Sequence, residues 1–137
     1  MSKTIVIVDD DPDDREFLED AAKTLFMDNP IKVFGEAVTA LQFLKDTKVQ
    51  PLFIICDVNM HKMGGIEFRQ AIYDDVELRL KCIPFLFLST SASPQLISEA
   101  YKLAVQGFFK KPNSYAEVVK MFSEISLYWT RCLHPNS

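Results

Sequence analysis

A chain of 137 residues, 48% hydrophobic and 25% charged, has the size of one globular domain and is too apolar to stay disordered. Fifteen Lys and Arg against nineteen Asp and Glu leave a net charge of −4, which argues against a protein that coats nucleic acid. Three cysteines without CxxC spacing argue against a disulfide framework or a cysteine zinc site, and no run approaches the ~20 apolar residues of a membrane span. The expectation is a reduced, cytoplasmic protein with neither nucleic acid nor membrane as partner.

The chain opens on a solid apolar run, Thr4–Val8 (TIVIV), which reads as a strand buried on both faces. It runs into Asp9, Asp10, Asp11, Asp13 and Asp14, interrupted only by Pro12. Asp11-Pro12 is an N-cap followed by a first-turn proline, opening a helix toward Met27, with Asp13 and Asp14 as first-turn acids favoured by the helix dipole. A calcium loop over the same aspartates fails, because its sixth position is Asp14 rather than glycine and its twelfth is Asp20 rather than glutamate. Ile31–Phe34 is a short second strand, and residues 37–45 form the second helix. Residues 52–56 (LFIIC) form a third strand that ends at Asp57, with Cys56 pointing into the core. A helix over Gly65–Asp74 follows.

Residues 85–88 (FLFL) form the fourth strand, ending at Ser89-Thr90. Ser93-Pro94 repeats the cap-and-proline signal for a helix through Ala104, and residues 106–110 form the last strand, leading into Lys110-Lys111-Pro112. Ser114-Tyr-Ala-Glu117 is a capping box. The helix that it opens carries an apolar stripe of Tyr115, Val118, Val119, Phe122, Ile125, Trp129 and Leu133. Met121, Leu127 and Tyr128 fall off that stripe, as surface apolars or part of a partner face. Residues 134–137 read as a frayed tail.

The β-α unit thus repeats five times, which right-handed crossovers convert into a five-stranded parallel sheet with helices on both faces. The expected layout is one α/β domain over residues 1–133, a tail over residues 134–137, and no effector domain.

In such a sheet, function gathers at the carboxyl ends of the strands. Those ends carry Asp9-Asp10, Asp57, Ser89-Thr90 and Lys110-Lys111. Three carboxylates from adjacent central strands repel one another unless a cation intervenes, and Mg²⁺ is the hard ion suited to such a set. A lysine and a hydroxyl aimed at the same place turn the reading toward phosphoryl transfer, with an aspartate as nucleophile. Strand alternation lets only one of the two lysines face the site, and the turn forced by Pro112 favours Lys111.

These residues resemble the receiver domain of two-component response regulators over essentially the full chain. The resemblance rests on IVIVDDDPDD at residues 5–14, IICDVNMHKMGG at 54–65, IPFLFLSTSAS at 83–93 and GFFKKP at 107–112. It implies a flavodoxin-like, doubly wound sheet of order 2-1-3-4-5 with five helices. Asp57 then matches the phosphoacceptor, Asp9 and Asp10 the acidic pair that holds Mg²⁺, and Asn59 the position whose backbone carbonyl completes the metal shell. Lys111 matches the lysine that pairs with phosphoryl oxygens, Ser89 the hydroxyl that swings toward them, and Phe108 the aromatic whose rotamer reports phosphorylation. Ser91, with Asn59, matches the positions that flank attacking water and tune phosphoryl lifetime.

The chain departs from the family pattern at His61, where proline is common, and at Gly64, where aspartate is common. Histidine and two glycines should leave the acceptor loop more mobile than proline would. The implied partners are a sensor histidine kinase or histidine phosphotransfer protein, an unknown downstream protein, and a second copy of the chain in a phosphorylation-dependent homodimer. The signal would leave through the surface of the fourth helix, fifth strand and fifth helix. Only self-phosphorylation and slow autodephosphorylation are expected, rather than turnover as an enzyme. The alternative is a small aspartate-nucleophile phosphohydrolase of the haloacid-dehalogenase kind. That chemistry usually has a second aspartate where this chain has Asn59, and a cap for which no residues remain. A flavin-binding protein on the same fold lacks the phosphate-cradling first loop.

Overall fold

Strands and helices alternate along the described residues, except between the third and fourth strands, where two helices follow one another. In the computed structural model, which describes residues 3–46 and 48–136, the strands are β1 (Thr4–Val8), β2 (Ile31–Phe34), β3 (Pro51–Asp57), β4 (Phe85–Ser89) and β5 (Gly107–Lys110). The helices are α1 (Pro12–Leu25), α2 (Ala37–Leu44), α3 (Gly65–Asp74), α4 (Val76–Leu80), α5 (Pro94–Lys102) and α6 (Tyr115–Arg131). Residues 1, 2, 47 and 137, which the expected domain and tail include, lie outside the described residues. All four strand pairings are parallel and the sheet order is β2-β1-β3-β4-β5, as the resemblance implies.

Pleat alternation sorts the strand residues between two cores. Ile5 and Ile7, Phe53 and Ile55, Leu86 and Leu88 face α1 and α6, where Leu18, Ala22, Val118, Phe122 and Ile125 close over them. Val6 and Val8, Ile54 and Cys56, Phe85 and Phe87 face the other way, against Ala40 and Leu44 of α2, Phe68 and Ile72 of α3, Leu78 of α4 and Ala100 of α5. Burial on both sides is why these strands read as unbroken apolar runs. Five phenylalanines (53, 68, 85, 87 and 122) are fully buried, and burying such a side chain stabilises by roughly 1.5–3 kcal/mol.

The expected caps are in place. Asp11 accepts from the backbone N–H of Asp13 (2.9 Å) and Asp14 (3.1 Å), Ser93 from Leu96 (3.1 Å), and Ser114 from Glu117 (3.3 Å).

Four expectations need correcting. Among the described residues there are six helices rather than five, because α4 is a separate short element. Asp75 ends α3 and caps α4, accepting from Leu78 N–H at 3.1 Å. Only Leu78 of α4 is buried, so no apolar period marks the helix in sequence. The fourth and fifth helices of the expected output surface are therefore α5 and α6. Next, α6 stops at Arg131, and Leu133, assigned to its stripe, is 91% exposed. Met121, placed off that stripe, is buried among Phe122, Ile125 and the α1 side chains, whereas Leu127 and Tyr128 are exposed. Finally, the tail is tied down rather than frayed. His134 Nε2 lies 2.8 Å from the Leu52 carbonyl, and Asn136 donates from its side chain to Lys81 O. No helix among the described residues is long and apolar enough to cross a membrane.

Candidate functional site

Register brings the site together. Val8 pairs with Cys56, Asp57 with Leu88, and Ser89 with Lys110, so the next residue of β1 and the ends of β3, β4 and β5 lie along one edge of the sheet. Backbone hydrogen bonds carry the alignment past the strands: Asp9 N–H donates to Phe34 O (3.0 Å), Val58 to Leu88 O (2.9 Å) and Lys111 to Ser89 O (2.8 Å).

Asp9, Asp57 and Ser89 are buried at this edge, while Asp10 is half-buried. One ligand oxygen from each of Asp9, Asp10 and Asp57 lies within 4.8 Å of the others. The Lys111 ammonium stands among them, 2.8 Å from Asp9 Oδ2, 3.1 Å from Asp57 Oδ2 and 2.8 Å from Asp14 Oδ2, with its side chain 8% exposed. Lys110 is exposed, so alternation selects Lys111 as expected. Asp14 belongs to this group although its sequence position reads as a first-turn acid. Its signal is its place in the first turn of α1, five residues after Asp9, where the helix start folds back over β1.

The remaining acceptors are fixed by backbone donors. Asp9 Oδ1 accepts from Asp11 N–H (2.9 Å), Asp57 Oδ1 from Asn59 N–H (3.2 Å), and Asp10 Oδ2 from His61 N–H (2.8 Å). The loop after β3 is thereby tied to Asp10, and Lys62 pairs with Glu36 at 2.9 Å. Gly65 sets how closely α3 approaches. A Cβ there would lie 2.5 Å from Asp57 O and 2.8 Å from Val58 Cα, so only glycine fits without moving the end of β3.

Burial pushes the Asp9 carboxyl up from 3.8 to about 6, against the lowering effect of Lys111, and the Asp57 charge adds to the rise. Lys111 is driven above the ordinary lysine value: burial works against its charge, but Asp14 and Asp9 outweigh burial. Burial likewise raises the Cys56 thiol, with Asp57 and Asp9 adding to it, so Cys56 is an inert core residue.

The donor set fits a hard divalent cation. Asp9 Oδ2 is buried, and the Lys111 ammonium at 2.8 Å is its close partner among the described residues. Three oxygen-bearing side chains already converge on one point, and hard cations of the Mg²⁺ type take carboxylate ligands.

The expected switch residues lie beside this cluster. Ser89 Oγ donates to Ser91 O (2.7 Å) and accepts from Ser91 N–H (3.2 Å), so its hydroxyl is engaged with its own loop. Phe108 is half-buried, its ring centroid 6.0 Å from that of Phe87. By alternation along β4, Ser89 shares the face of Phe87, the side on which Phe108 packs. Asn59 and Ser91 are exposed at the mouth.

The family profile for the response regulator receiver domain matches residues 5–123, and the chain belongs to that family. CheY-3, a chemotaxis protein of Vibrio cholerae, is 31% identical over 121 residues, covering 88% of this chain and 89% of the relative. The response regulator Rcp1 of Synechocystis sp. is 26% identical over 132 residues, covering 93% of this chain and 88% of the relative. Among solved structures, the phosphorylated cyanobacterial phytochrome response regulator RcpA superposes with a TM-score of 0.87 at 23% identity, covering 98% and 99% of the two chains. The Mn²⁺-bound form of Rcp1 does so with a TM-score of 0.84 at 24% identity, covering 97% and 99%. The chain is therefore a signalling receiver domain of the CheY-like type, and the hydrolase alternative is not favoured.

Proposed function

We propose that Asp57 accepts a phosphoryl group from the phosphohistidine of a sensor kinase or histidine phosphotransfer protein in the cytoplasm. The observation that carries this reading is the Lys111 ammonium shared between Asp9 and Asp57 at the end of the central strands. Attack by an Asp57 oxygen forms the O–P bond as the P–N bond to the donor imidazole breaks, leaving the donor histidine free of its phosphoryl group. Lys111, already 3.1 Å from Asp57 Oδ2, is placed to pair with the incoming phosphoryl oxygens. Asp9, Asp10, Asp57 and the Asn59 backbone carbonyl are the groups that would hold Mg²⁺. That ion supplies neutralisation of the charge on the transferring group.

Once Asp57 carries the phosphoryl, Ser89 exchanges its two bonds to Ser91 for one to the new oxygens. Phe108, packed on the same face, follows into the space released. The α5–β5–α6 surface changes with it and is read by a downstream protein or by a second copy of the chain. Asn59 and Ser91, exposed beside the acceptor, set how fast water reaches the acyl phosphate.

Incubation with acetyl phosphate and Mg²⁺, followed by intact mass, tests the chemistry. One phosphoryl should add to the parent and none to Asp57→Asn, whose amide is isosteric and leaves the fold intact. Continued labelling of that variant would overturn the assignment of Asp57.

A further inference from the structure

A second concave site lies at the opposite end of the sheet, outside everything assigned to Asp57. A cavity of about 370 Å³ opens where the chain enters β4 and β5, between α4 and the C-terminal end of α6. Its volume falls in the range of small-molecule pockets. Leu78, Ile83, Trp129 and Leu133 supply apolar walls, and two guanidinium groups, Arg69 and Arg79, line it without any aspartate or glutamate among the lining residues.

Arg69 is the unusual member. Its residue is 8% exposed, yet among the described residues no carboxylate pairs with it. Its Nε donates to Leu103 O (2.9 Å) and its Nη2 to Ala104 O (3.4 Å), and the guanidinium lies 5.5 Å from the centroid of Phe85 and 6.0 Å from that of Tyr73. Carbonyls and aromatic faces orient the group but do not neutralise it, and arginine stays charged. Burial accordingly weakens its hold on the proton. A buried cation without a counter-charge costs free energy that an arriving anion would recover. Arg79 lies 5.8 Å from the centroid of the same Tyr73 ring and donates to Tyr73 O at 3.3 Å, so both guanidinium groups approach one aromatic and line one cavity.

From this arrangement we infer that the cavity binds a small organic carboxylate with an apolar or aromatic body. The carboxylate would sit at the Arg69–Arg79 pair and the body against Trp129, Ile83 and Leu133. Planar guanidinium groups suit a two-oxygen anion, and the apolar walls select against a bare inorganic ion.

Trp129 is the only tryptophan of the chain, so its fluorescence reports occupancy directly. The probe is 4-phenylbutanoate titrated into the full chain, with the neutral 4-phenylbutanamide and inorganic phosphate as comparison arms. Saturable change in Trp129 emission is expected with the carboxylate, and binding at least about tenfold weaker with the amide and with phosphate. Arg79→Gln, at an exposed position that should not disturb folding, and Arg69→Lys, which keeps the charge but loses the fork, should each weaken the carboxylate by about tenfold. No saturation by about 10 mM, equal binding of the amide or of phosphate, or an unchanged affinity in Arg79→Gln would each overturn the site.

Discussion

At the scale of single residues, Asp9 concentrates the electrostatics of the site. It is fully buried, and burial lifts its carboxyl to about 6. A carboxyl raised above its unfolded value of 3.8 stabilises the fold fully below that value and loses the contribution as pH climbs through 6. Asp9→Asn removes this titration. In the absence of divalent cations, urea unfolding should show the variant gaining on the parent as pH rises from 4 to 6, by up to about 3 kcal/mol. A stability difference flat across that window would contradict the account of Asp9. Most of the site was legible at this scale, because Asp9, Asp10, Asp57, Ser89 and Lys111 each end or follow a strand and a parallel sheet collects such ends. Asp14 was not. A first-turn acid after an N-cap has a sufficient local explanation, and only the fold shows that it also faces Lys111.

At the scale of elements, the joint between β3 and α3 fixes the position of Asp57. Gly65 N–H donates to Val58 O at 2.9 Å, and no room remains for a Cβ beside Asp57 O. Gly65→Ala should cost about 1–3 kcal/mol in denaturant unfolding, as overpacking against backbone does, and should slow labelling of Asp57 by displacing it. A cost below about 0.5 kcal/mol would mean that the joint gives way easily. The elements that escaped sequence reading share a physical cause. Helix α4 has one buried side chain and a cap that it shares with α3, so neither periodicity nor a separate start signal marks it. The tail is held by the carbonyls of Leu52 and Lys81, distant in sequence, and no local pattern announces such a contact. The strands were readable for the converse reason. Burial on both faces leaves an apolar run that composition alone reveals.

At the scale of the whole molecule, one sheet edge holds the carboxylate–lysine cluster, while the signal is proposed to leave from α5, β5 and α6. A cation that binds the native carboxylate cluster and not the unfolded chain raises stability by mass action. Millimolar Mg²⁺ should therefore raise the melting temperature of the parent, and Asp10→Asn should lose most of that gain. A parent indifferent to Mg²⁺ would contradict the proposed metal site. The coupling we propose between edge and surface would run through Ser89, whose hydroxyl is bonded to Ser91, and through Phe108 against Phe87. Amide chemical shifts over residues 102–110, recorded on adding Mg²⁺ and the phosphoryl mimic beryllofluoride to the parent and to Ser89→Ala, test that coupling most directly. Large shifts there in the parent, and shifts confined to the neighbourhood of Asp57 in Ser89→Ala, are the predicted result; equal shifts over residues 102–110 in both proteins would contradict it.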